Sequence, residues 1–135
     1  MSKFGIVQGQ ERLNTEFIHD YLSNVAYWSK GRSMEVVQKS IENSICFGAY
    51  LENGDQIGFA RVVSDKAVFA WVMDVFVIDE YKRIGVGKAL MDAMFSYPDL
   101  MGLKRWGLCT LDAHELYKKY GFKELENHEI HMERV

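Results

Sequence analysis

The chain has 135 residues, 48% of them hydrophobic and 26% charged, with 16 Lys and Arg against 19 Asp and Glu and a formal net charge of -3. That length fits one domain, 1–135, and that composition fits a packed core and excludes a disordered chain. Mild acidity argues against a nucleic-acid partner, and no apolar run approaches the roughly 20 residues of a membrane span.

Met1-Ser2-Lys3-Phe4-Gly5 lacks the apolar stretch of a signal peptide, so a cytoplasmic location is expected. Residues 3–8 read as a first strand. Phe17, Ile18, Tyr21, Leu22 and Val25 share one face of a helix that Asn14 or Thr15 caps. A polar link, Ser29-Lys30-Gly31-Arg32, interrupts the pattern. Ser33 then caps a second helix with Met34, Val37 and Ile41 on its buried stripe. Ile45–Leu51 and Gln56–Ser64 form a hairpin around Asn53-Gly54, read as a two-residue turn. Residues 69–78 are nearly all apolar and predict a strand buried on both faces.

From Gly85 onward, Val86, Ala89, Leu90, Ala93 and Met94 recur at helical spacing. Pro98 lies in the loop that follows. Residues 106–111 read as another strand. Asp112-Ala113-His114-Glu115 has the form of a capping box with Asp112 as the cap, and Gly121 suits the end of that helix. Residues 129–134 read as a last strand. The order is βααβββαβαβ, an α/β (α+β) fold with a mixed sheet and helices on both faces. Cys46 and Cys109 lack CxxC spacing and read as reduced, partly buried thiols.

One segment carries chemistry on its own terms. Tyr81-Lys82-Arg83-Ile84-Gly85-Val86-Gly87-Lys88-Ala89-Leu90 follows an apolar strand and opens a helix. The first amides of a helix have no partner within it and sit at the positive end of its dipole. Two glycines let a ligand approach the backbone, and Lys82, Arg83 and Lys88 add positive charge. The segment is suited to a phosphorylated cofactor.

The loop Lys82-Arg83-Ile84-Gly85-Val86-Gly87 resembles the (Gln/Arg)-x-x-Gly-x-(Gly/Ala) signature of the GNAT family of N-acetyltransferases. Lys82 replaces Gln or Arg at its first position. Ala113-His114-Glu115-Leu116-Tyr117-Lys118-Lys119-Tyr120-Gly121-Phe122 resembles that family's Ala-x-x-x-Tyr-x-x-x-Gly-Phe segment. A looser likeness to small bacterial members runs through Tyr27 to Arg32, Cys46-Phe47-Gly48 and Trp71 to Val77. The resemblance implies the GNAT fold, with a mostly antiparallel sheet, and acetyl-coenzyme A as co-substrate. It implies direct transfer of the acetyl group to a primary amine of a small molecule or protein, by a monomer or homodimer. It places the pantetheine arm against Phe76, Val77, Ile78 or their neighbours, near a bulge the sequence does not locate. It places the pyrophosphate on Lys82 to Lys88. It puts Thr110 where many members use Asn to contact the cofactor. Tyr117 takes the position of a general acid that also touches the cofactor.

The remaining candidates rest on residue chemistry. Asp74 is the one charge in a long apolar strand, so it either draws the proton from the amine or pairs with Arg61 across the hairpin. Tyr27, Trp28 and Arg32 would bound the acceptor, or else Tyr27 and Trp28 close the core. Tyr117 is either the acid or a core aromatic. Cys109 lies in the strand facing the cleft, with no local activating neighbour except His114, and reads as a buried thiol; His114 itself reads as solvent-facing or capping. His128 and His131 form no ligand set, so no metal is expected. An acyl-coenzyme A-binding sensor without turnover is the alternative. A Rossmann-type nucleotide site fails, because no GxGxxG follows the first strand.

Overall fold

The computed structural model describes residues 3–135. Among the described residues, five strands form one sheet in chain order: β1 (Phe4–Gln8), β2 (Ile45–Leu51), β3 (Gln56–Ser64), β4 (Phe69–Val77) and β5 (Arg105–Gly107). The first three pairings are antiparallel and β4 with β5 is parallel. Four helices flank the sheet: α1 (Thr15–Asp20), α2 (Met34–Glu42), α3 (Val86–Ser96) and α4 (His114–Lys118).

Successive strand residues point to opposite faces, so β2 divides the core. Cys46 joins Ile18 and Leu22, Val37 and Ile41 of α2, and Phe59 and Phe76 on one side. Phe47 and Ala49 join Val62, Val72, Leu90, Met91, Met94 and Tyr117 on the other. Burying each large aliphatic side chain contributes about 1.5–3 kcal/mol, which makes α3 the main clamp on the sheet.

Local signals decide most helix starts. The Asn14 side chain accepts the Phe17 amide at 3.0 Å and that of Ser33 the Val36 amide at 3.2 Å, as expected of N-caps. Several expectations need correction. α1 continues as a π-helical turn, Tyr21–Val25. The wider turn rotates Val25 off the buried face, leaving it 55% exposed. Asn53-Gly54 belongs to a three-residue loop: the Gly54 amide returns to the Leu51 carbonyl and only Gly54 has positive φ, at 97°. That is a type I turn closed by a glycine bulge. β4 is not buried on both faces; burial alternates along it.

β5 is shorter than 106–111. It stops at Gly107, where the Trp71 ring lies so close that a β-carbon would collide with it. Beyond that point β4 and β5 part. Asp112 is not the cap of α4: Ala113 takes that position with no side-chain cap, and Thr110 Oγ1 accepts the Ala113 amide at 3.1 Å. No strand forms over 129–134: a 3-10 turn, His128–Ile130, is followed by unpaired backbone. Alternating residues make a strand only where a neighbour accepts their backbone hydrogen bonds, and among the described residues no strand pairs with this segment.

Candidate active site

The divergence of β4 from β5 opens a cleft of about 430 Å³. Its first wall is the end of β4. There the pairing with β3 slips, so Asp74 and Val75 together oppose Ala60, and Asp74 adopts φ 53°. This is a β-bulge, and it re-aims the residues after it. The Ile78 amide donates to the Ile57 carbonyl at 3.0 Å, on the β3 side. By alternation the Val77 and Val75 amides point the other way, into the gap left by β5. Val75, Phe76 and Val77 line the cleft. The amide of Ile78, a residue also expected beside the cofactor arm, is used by the Ile57 carbonyl.

One end of the cleft is the start of α3. Gly85 has φ 96° and offers no side-chain cap, so the amides of Val86, Gly87 and Lys88 have no partner inside the helix. A β-carbon on Gly85 or Gly87 would meet nothing within 4 Å, so the space before these amides is open. Those dimensions and donors fit a pyrophosphate. Lys82, Arg83, Gly85, Val86, Gly87 and Lys88 line this end, whereas Ile84 faces solvent. Arg83 is held at φ 73°, a strained conformation for a non-glycine residue. Lys82 pairs with Asp79 at 2.8 Å and Lys88 with Asp92 at 3.0 Å; both are exposed contacts that an anion can displace.

The second wall is α4. Tyr117 is buried at 8% exposure and lines the cleft with Asp112, Ala113 and Leu116. Burial, reinforced by the Asp112 carboxylate, pushes its phenol up to about 12. Thr110 does not line the cleft, and its hydroxyl accepts from the Ala113 amide.

The far end is aromatic. Tyr21 stacks on Phe76 at 3.9 Å with the rings 6° from parallel, and Tyr27 meets Trp28 edge-on at 5.1 Å. Tyr21 escaped the sequence reading because its periodicity marked it only as a core position; the π turn carries it to the cleft. Beneath these rings lies a buried ion cluster. Asp74 Oδ2 accepts from Arg61 Nε and from Arg32 Nη1, each at 2.7 Å, and Oδ1 accepts from Trp28 Nε1 at 3.0 Å. Burial alone would raise the carboxyl of Asp74, but Arg61 and then Arg32 hold it below its ordinary value. Both oxygens of Asp74 are engaged, so the pairing with Arg61 across the hairpin is present, with Arg32 and Trp28 added to it. Arg32 is likewise committed to Asp74 and lines no part of the cleft. Cys46 is buried near this cluster and its thiol is pushed up to about 12 by desolvation, whereas Cys109 is exposed, contrary to expectation.

The description of an acetyltransferase (GNAT) domain matches residues 42–124. The chain belongs to the GNAT family of acetyltransferases. A Xanthomonas campestris protein provisionally described as a GNAT-family acetyltransferase is 42% identical. It superposes with a TM-score of 0.96 over 100% of this chain and 94% of its own. Glucosamine-6-phosphate N-acetyltransferase from Arabidopsis thaliana gives a TM-score of 0.68 at 15% identity, covering 98% of each chain; that likeness is one of fold. A Gibberella zeae protein provisionally described as an acetyltransferase is 24% identical, over 76% of this chain and 68% of that protein. Among the described residues no helix is long and apolar enough to cross a membrane.

Proposed function

We propose that the protein transfers the acetyl group of acetyl-coenzyme A to a primary amine of a small molecule or a peptide. The observation that carries this reading is the cleft itself. Unpaired β4 amides on one wall face a protonated phenol on the other, and an uncapped helix end closes the site. When bound, acetyl-coenzyme A supplies an activated thioester. The amides of Val86, Gly87 and Lys88, with Lys82 and Arg83 alongside, would hold its pyrophosphate. The Val77 amide would pair with the arm, and the Val75 amide would stabilise negative charge on the carbonyl oxygen. Tyr117 keeps its proton throughout the neutral range and would donate it to the leaving sulfur. Tyr27 and Trp28 would form the wall against which the amine rests, and the amine's proton would leave to water through the open cleft.

The engagement of Asp74 by Arg61 and Arg32 favours one other reading, an acyl-coenzyme A sensor with no turnover. A thioester assay against polyamines, amino acids, aminoglycosides and peptides separates the two. Release of free coenzyme A that depends on an amine supports transfer. Tight binding without release across the panel supports the sensor.

A further inference from the structure

The aromatic end of the cleft selects the acceptor as the other end selects the donor. Tyr21, Tyr27 and Trp28 line it. Tyr27 is 51% and Trp28 42% exposed, so much of two large rings lies open to the solvent in the cleft. Apolar area of that kind beside a cleft marks a surface that a ligand covers. The rings are held in place. The indole N–H of Trp28 donates to Asp74, the Ser29 hydroxyl next to it donates to the Leu22 carbonyl at 2.7 Å, and Tyr21 lies flat on Phe76. The planes of Tyr27 and Trp28 stand 87° apart, which makes a fixed corner.

Charge at this end works against a charged acceptor body. Arg32 and Arg61 both bond Asp74, and neither lines the cleft, so a carboxylate on the acceptor would meet no guanidinium there. A carboxylate moved out of water without such a partner is costly. Two guanidiniums against one carboxylate also leave the cluster with a surplus positive charge, which repels a second ammonium group. Asp112 is the one acid lining the cleft, and it stands on the α4 wall, away from the corner of rings. Lys82, Arg83 and Lys88 belong to the opposite end.

We propose that the acceptor is an aromatic monoamine: a flat ring on a short alkyl chain that ends in one primary amine, with no carboxylate and no second ammonium. The proposal rests on acetyl transfer at this cleft. The ring packs in the corner of Tyr27 and Trp28 in the tilted contacts that aromatic pairs prefer, and the chain carries the nitrogen towards Val75 and Tyr117. There the nitrogen lone pair of the neutral amine forms the bond to the thioester carbonyl carbon, and the carbon–sulfur bond breaks. The sulfur leaves with the Tyr117 proton; the nitrogen gives up one proton to water, and water returns one to the phenolate. Tyr27 sets the choice of acceptor, because half of its ring is free to be covered.

Coenzyme A release is measured with 2-phenylethylamine, hexylamine, phenylalanine and spermidine. The kcat/KM for 2-phenylethylamine should exceed that for hexylamine at least ~10-fold, and those for phenylalanine and spermidine at least ~100-fold. Tyr27→Ala should raise the KM for 2-phenylethylamine ~10-fold and that for hexylamine much less, with coenzyme A affinity unchanged. Tyr27→Phe should restore the original KM. Equal or better use of any of the other three amines, or equal losses for both monoamines in Tyr27→Ala, would overturn the proposal. Calorimetry separates its failure from that of acetyl transfer. If no amine releases coenzyme A, transfer is lost. Saturable binding of 2-phenylethylamine to the coenzyme A-loaded protein, weakened ~10-fold by Tyr27→Ala, would still uphold the aromatic-amine site, and no binding would overturn it.

Discussion

The two ends of the cleft are built on opposite principles. At the start of α3 the backbone is left unsatisfied: amides without acceptors, glycines with open space before them, and basic side chains tied only to exposed carboxylates. At the bulge the polar groups are paired with one another: one buried carboxylate accepts from two guanidiniums and an indole N–H. The first end has work left for a ligand. The second spends its polar groups on holding shape, fixing the β4 bulge to the link that carries Tyr27 and Trp28. A charged residue in an apolar strand therefore belongs to the architecture here.

Perturbing each end sharpens that contrast. Removing the carboxylate with Asp74→Ala leaves two guanidiniums without their shared partner and should destabilise the fold by about 3–5 kcal/mol in chemical denaturation. Acid should reveal the same interaction. Asp74 has its folded pKa below the unfolded value of about 3.9, so it contributes stability above that pH. That contribution is lost as pH falls through the folded pKa, and Asp74→Asn should flatten this part of the acid unfolding curve. At the other end, Gly87→Phe should leave the melting temperature nearly unchanged, since a β-carbon there meets nothing within 4 Å. It should nonetheless lower acetyl-coenzyme A affinity by ~100-fold in calorimetry, equivalent to about 2.7 kcal/mol. Tyr117→Phe should cut turnover by ~10- to 100-fold with coenzyme A affinity little changed. In the unaltered protein no loss of rate should track Tyr117 ionisation until the pH nears 12. Lys82→Ala should have the smallest effect, less than ~3-fold in affinity, because its charge is exposed and shared with Asp79.

How far the sequence could be read depended on how local the cause was. The Asn14 and Ser33 caps, the apolar stripe of α3 and the glycine turn before it are decided within a few residues, and they stand where the pattern indicated. The failures all involve a distant partner. The length of β5 depends on the Trp71 ring against Gly107. The start of α4 at Ala113, without a side-chain cap, depends on the Thr110 hydroxyl that accepts the Ala113 amide. The part played by Asp74 depends on Arg32, forty-two positions earlier, as well as Arg61, and Tyr21 enters the cleft only through a widened helical turn. Segment 129–134 shows the same limit most plainly, since its alternation is real but no strand among the described residues pairs with it.

The three-residue pairing of β4 with β5 has a consequence for observing the protein at work. Because the ladder ends at Trp71 and Gly107, the amides of Val75 and Val77 are strand amides with no strand to bond. Their exchange with deuterated solvent should be fast in the free protein, although the flanking core exchanges slowly. Anything that lies along that edge slows them, whatever group it carries at its far end. The protein thus contains its own occupancy gauge, readable at two valines, before an acceptor has been identified.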